Sequence, residues 1–184
     1  NRGYDEIFAR QIYHQILGFG EYGFPESHAA SFALLVYVSA WLKHHEPAAF
    51  TCALLNSQPM GFYAPSQLTQ DARRHGVEIR PADVTVSNWD CTLELVDGGH
   101  AIRLGLRLVK GFSRNGGEGL TAARTQRPLR DIDDLAHRAQ LNQADLQALA
   151  AAGALKSLVR GHRRQAAWNA AGYQPGMPIF GSGQ

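Results

Sequence analysis

The sequence predicts a mainly α protein with a small β element set into it. Three observations carry that prediction. Apolar residues recur at helical spacing over residues 4–17 and 28–44, prolines at 47 and 65 open two shorter helical stretches, and β-branched or alternating runs take over only from residue 77. The hydrophobic fraction, 45% of 184 residues, is ample for a packed core.

In YDEIFARQIYHQIL, residues 4–17, Ile7, Phe8, Tyr13, Ile16 and Leu17 fall near one helical face, and the run from Gly18 to Gly23 is expected to end that helix. Ser27 is the expected N-cap of an apolar helix from His28 to about His44. Its lack of a polar side predicts burial all round, as the central strut of the first half. Pro47 and Pro65 occupy first helical positions before AAFTCALLNS and SQLTQDARRH, and Gly76 closes the second of these helices. Strand patterns follow in Val77-Glu78-Ile79, Val84-Thr85-Val86 and Thr92-Leu93-Glu94-Leu95-Val96, with Asp97-Gly98-Gly99 as a hairpin turn.

From Ile102 the pattern returns to helix, in two similar units of helix, glycine hairpin and helix. The first covers residues 102–124 with its hairpin at Lys110-Gly111-Phe112-Ser113, and the second residues 142–168 with its hairpin at Ala152-Gly153-Ala154-Leu155. Four regions result: a helical portion 1–76, a β connector 77–101, the tandem hairpin domain 102–168 and a Pro/Gly-rich tail 169–184.

The longest apolar run, His28 to Trp41, is broken by Ser31 and Ser39 and falls short of the roughly 20 residues a membrane span needs, which excludes a transmembrane reading. The first Met is Met60, so the chain is expected to be a fragment of a longer intracellular protein, cytoplasmic in location. Cys52 and Cys91 make neither a disulfide framework nor a zinc site, and His44-His45 point too far apart on a helix to share a metal. No nucleophile with its base, carboxylate pair or phosphate-binding GxxxxGK[ST] loop is present, so no cofactor is expected in this chain.

Charge is segregated. Residues 1–99 hold six basic and eleven acidic side chains, net −5, whereas residues 100–184 hold twelve basic and five acidic, net +7. An Arg-rich half suits phosphates, whose counterions it releases, and equally suits an ordinary solvated face. Paired hairpins sharpen the first alternative, because hairpin glycines let backbone N–H groups approach phosphate oxygens without reading bases. Candidate DNA-binding residues are Lys110, Gly111, Phe112, Ser113, Arg114, Gly153, Ala154, Lys156, Arg160, Arg163 and Arg164. Against this, Ser113 stands where a second hairpin glycine belongs, and Gly116, Gly117 and Gly119 each cost up to about 1 kcal/mol of helix propensity. The alternative is two packed αα-hairpins around Leu106, Val109, Leu120, Leu146, Leu149 and Leu158. Ser27 and His28 open the apolar helix, where an anion could dock or a Ser cap could sit beside a satisfied His.

Residues 18–58, GFGEYGFPESHAASFALLVYVSAWLKHHEPAAFTCALLNSQ, resemble the fingers of the bacterial C-family DNA polymerases. The resemblance continues through DARRHGVEIRPADVTVS, IRLGLRLVKG and NQADLQALAAAGAL to HRRQAAW, and FPESHAASFALLVYVSAW with NSQPMGFYAPSQL points to the error-prone branch of that family, the damage-inducible mutasome subunit. It implies fingers over residues 1–76, with Ser27, His28 and Phe32 near an incoming nucleotide, and a duplex-gripping tandem helix-hairpin-helix. It also implies a parent whose palm aspartates hold magnesium, a fragment inactive alone, and primer-template DNA and mutasome proteins as partners. Gln174, Met177, Ile179 and Phe180 resemble a sliding-clamp peptide, an extended strip filling an apolar pocket; the alternative is a Pro/Gly linker.

Overall fold

The structure, a computed structural model, describes residues 5–21 and 26–159, with side chains for 5–17 and 29–159. Contacts divide the chain into two compact units, residues 1–45 and 46–184.

The first unit contributes α1 (Glu6–Glu21) and α2 (Glu26–His45). α1 runs through Gly18 and Gly20 rather than stopping there, since an interior glycine costs a helix only about 1 kcal/mol. α2 starts at Glu26, which puts Ser27 in the first turn instead of at the cap, and Lys43, His44 and His45 fill its last turn, where the helix dipole favours cations. The expected buried strut is not what forms: Leu35 is 60% exposed, with Leu34, Val36 and Tyr37 more so. A helix apolar on every side needs cover on every side, and the described residues do not supply it. None of the described helices is long and apolar enough to cross a membrane.

The second unit opens with α3 (Pro47–Asn56) and α4 (Pro65–Arg74), each with its proline at a first helical position. A three-stranded sheet follows, from β1 (Ile79–Arg80), β2 (Thr92–Val96) and β3 (Gly99–Arg103), in the order β1-β3-β2. β2 and β3 form an antiparallel hairpin over Asp97 and Gly98, with Leu93 opposite Ile102, and β1 lies parallel to β3 on its other edge. Ile102 and Arg103, expected to begin a helix, therefore end a strand. The cause is charge pairing across the sheet: Glu94 on β2 accepts from Arg103 Nε at 2.8 Å and from Arg80 Nη1 at 2.5 Å. Val84 to Val86, expected as a strand, is a turn, because the N–H groups of Val86 and Ser87 both bond to Asp83 O.

Beyond β3, Leu106–Leu108 makes a single 3-10 turn, followed by α5 (Arg114–Gln126), α6 (Ile132–Arg138) and α7 (Gln143–Ala152). The first hairpin unit thus has a tight turn where a full helix was expected. α3, α4 and the sheet enclose one core around Leu55, Ala72, Val77, Cys91 and Ile102. α5, α6 and α7 enclose another around Leu106, Leu120, Leu135, Leu146, Leu149 and Leu155. Of the six positions expected to pack the paired hairpins, Leu106, Val109, Leu120, Leu146 and Leu149 are buried and Leu158 is partly buried.

The glycines of α5 serve this packing. A Cβ on Gly117 would meet the Trp89 ring at 2.5 Å, and one on Gly119 would meet the backbone oxygen of Ala139 at 2.4 Å. α5 therefore lies closer to its neighbours than any side chain allows. Two variants measured by chemical denaturation test these packing assignments. Gly119→Ala should destabilise by about 1–3 kcal/mol despite its better helix propensity, because a carbonyl oxygen cannot yield as a side chain can. Leu35→Ala in exposed α2 should cost less than about 0.5 kcal/mol.

Candidate nucleic-acid interface

The first hairpin is built by residues 109–116. Phe112 N–H bonds to Val109 O at 3.1 Å, and Gly111 between them takes φ +83°, a left-handed conformation that an L side chain rarely adopts. Phe112 itself is buried in the core of the second unit. Ser113 caps α5, its hydroxyl accepting from Gly116 N–H at 3.0 Å, while its own N–H donates to Asp145 Oδ1 at 3.0 Å. Lys110 is exposed. Arg114 pairs with Glu118 at 3.1 Å and lies 5.9 Å from the centre of the Trp89 ring, a cation-π contact.

The second hairpin follows α7, which Asn142 caps by accepting from Asp145 N–H. Gly153 ends it at φ +74°, and the N–H groups of Gly153 and Ala154 return to Ala150 O and Leu149 O. Ala154 is buried, and its carbonyl accepts from Val84 N–H at 3.0 Å. The loop holding Val84 grips the turn a second time through Asp83, whose carboxylate accepts from the Ser157 hydroxyl. Residues 153–159 are turn rather than the expected second helix.

These contacts sort the expected ligand-facing residues. Phe112 and Ala154 are core positions with committed N–H groups, which leaves neither amide for a phosphate. Lys110, Gly111, Arg114 and Lys156 are exposed, and Gly153 is partly so. Arg160, Arg163, Arg164 and the tail residues Gln174, Met177, Ile179 and Phe180 lie outside the described residues, as do the side chains of Ser27 and His28. Phe32 is half exposed on α2.

The Arg-rich charge turns out to be substantially structural. Arg107 donates to Asn56 O, Gln58 O and Asp90 Oδ1. Arg124 donates to Val84 O, Ser87 O and Asn88 Oδ1, and burial pushes its pKa down. Arg127 and Arg138 both pair with Asp134. Burial works against ionisation of Asp134, but the Arg130 N–H and these two guanidiniums outweigh it and hold its pKa at about 2. Arg103 and then Arg80 hold Glu94 likewise at about 2. Both cysteines are free; burial, and then the neighbouring Cys91, pushes the Cys52 thiol up to about 11. Among the described residues, no group of three His, Cys, Asp or Glu side chains could hold a metal ion.

A helix-hairpin-helix motif model matches residues 76–166, the stretch that holds both turns. Over 97% of its length the chain is 64% identical to the error-prone DNA polymerase of Alkalilimnicola ehrlichii, and over all of it 59% identical to that of Methylococcus capsulatus. The corresponding protein of Aromatoleum aromaticum is 63% identical over 95% of the chain. The chain belongs to the error-prone DNA polymerases. It spans 17–19% of the length of these three relatives.

Within this error-prone polymerase segment, Asp145, Arg124 and Trp89 are the organising residues that sequence reasoning did not single out. Asp145 carries a local signal only as a first-turn acid after Asn142, and its contact with Ser113 is 32 residues away. The depressed pKa of Glu94 makes its ion pairs a pH-dependent source of stability. The contribution is complete above the unfolded value of 4.5 and is lost as pH falls from there toward about 2. Glu94→Gln should lower stability at neutral pH and flatten the stability curve over that acid window, as followed by denaturant melts at each pH.

Proposed function

We propose that the chain is the fingers and duplex-holding portion of an error-prone DNA-directed DNA polymerase, a nucleotidyltransferase acting in damage-induced mutagenesis and translesion synthesis. One observation carries the reading: two turns with left-handed glycines, Gly111 and Gly153, stand in the helix-hairpin-helix stretch of a chain homologous to such enzymes. Backbone turns of this kind hold phosphates without reading bases, which suits a polymerase that must travel over any sequence. The described residues do not fit a magnesium site, so the metal is assigned to the parent's palm and the segment alone is expected to be inactive. Ser27, His28 and Phe32 are assigned to the neighbourhood of the incoming nucleotide. Gln174, Met177, Ile179 and Phe180 are assigned to a sliding clamp, with other mutasome proteins as further partners in the cytoplasm.

A second reading, a non-enzymatic module that recruits mutasome partners or the clamp, is favoured by the apolar exposure of α2 and by the arginines committed inside the fold. Salt separates the two. Titration with primer-template DNA should show affinity falling with log salt at about 0.9 per phosphate contact, and a salt-insensitive or absent interaction would discard the duplex-holding role. In the full-length enzyme, His28→Ala should raise KM for nucleotide or lower kcat with an unchanged melting temperature. Normal kinetics in a stably folded variant would remove His28 from the nucleotide's neighbourhood.

A further inference from the structure

The two hairpins are unequal in what already occupies them. At the first, the amide that opens α5 has an anion in place: Asp145 Oδ1 accepts from Ser113 N–H at 3.0 Å, and Asp145 is 3% exposed. The carboxylate is fixed from behind by the first turn of α7, where Asn142 Oδ1 holds the Asp145 N–H at 2.8 Å. The neighbouring groups are committed too, with Phe112 N–H on Val109 O and the Ser113 hydroxyl turned inward onto Gly116 N–H. A phosphate oxygen approaching Ser113 N–H would meet a buried negative group already in its position, and the two would repel in a poorly screened setting.

The second hairpin has a carboxylate nearby as well, but it is spent differently. Asp83 accepts from the hydroxyl of Ser157 and from the N–H and hydroxyl of Thr85, and from no amide of the hairpin turn. Lys156 follows Gly153, is exposed, and has no ion-pair partner among the described residues. Its side chain lies across the turn, with Cε 3.3 Å from where a Cβ on Gly153 would stand.

We infer that Asp145 is the resident anion of the first hairpin, making that hairpin a closed structural joint, and that duplex phosphate is taken at the second hairpin, through Lys156. This rests on the duplex-holding role proposed above and assigns it to one of the two turns. The first hairpin then keeps the fold of a phosphate-binding turn while its ligand is internal.

The test is a salt titration of the full-length protein with a fluorescent DNA duplex, comparing three variants with wild type. Lys156→Gln should lower the slope of log affinity against log salt by about 0.9, while Lys110→Gln should leave it unchanged. Asp145→Asn keeps an acceptor for Ser113 N–H while removing the charge, and should leave duplex affinity equal to wild type or raise it. A slope change for Lys110→Gln as large as that for Lys156→Gln overturns the inference. So does weakened binding by Asp145→Asn at an unchanged melting temperature. Should Asp145→Asn fail to fold, the two lysine variants, both at exposed positions, decide alone. A wild-type protein with no salt-dependent duplex binding removes the duplex-holding role and this assignment together.

Discussion

Two stretches of backbone cross at van der Waals contact, and the second unit hangs on that crossing. Residues 88–91 run beside residues 105–107, with Leu106 N–H on Asn88 O at 2.9 Å, Arg107 N–H on Trp89 O at 3.0 Å and Gly105 N–H on Cys91 Sγ at 3.3 Å. A Cβ on Gly105 would lie 2.4 Å from Trp89 O, so only glycine passes there. Cys91 and Ile102 on one side belong to the core under the sheet, and Leu106, Val109 and Trp89 on the other belong to the core of the hairpins. The crossing is where the two cores share a wall. Asn56 secures it from α3, exchanging two hydrogen bonds with the Cys91 backbone, and Trp89 carries it on to the close face of α5.

Much of this fold was legible because its punctuation is local. Pro47, Pro65 and Gly76 set helix ends through their own φ angles, and Asp97-Gly98 set a hairpin through its turn geometry, so each could be placed without knowing the neighbours. Ile102 and Arg103 could not, because their strand depends on Glu94 and on Ile79, which lie elsewhere in the chain. α6 was readable and went unread: Asp131 caps it, Asp133 and Asp134 fill its first turn, and His137 and Arg138 its last. α2 shows the limit of composition, which gave its helical form and could not say whether its apolar sides would find cover.

The candidate interface divides in the same way. The hairpin glycines announced themselves in sequence, since a left-handed turn has few other solutions. What each hairpin does depends on contacts across long separations, Asp145 to Ser113 and Asp83 to Ser157, for which no spacing rule exists. The glycines of α5 were legible as a cost and not as a purpose. Their purpose is the backbone of Ala139 and the ring of Trp89, neither of which is close in the chain.

The arginines leave a consequence for how such segments change over time. Arg107, Arg124 and Arg138 each splay a planar fork over backbone oxygens of segments that would otherwise have no common partner. A lysine carries the same charge without the fork, and a neutral residue would strand those carbonyls. These positions therefore keep their positive charge for the sake of the chain's own architecture, whatever happens to its hold on nucleic acid. Net charge in this half records the memory of a fold. A drift in grip would be written in the few exposed lysines and arginines, where exchange is cheap.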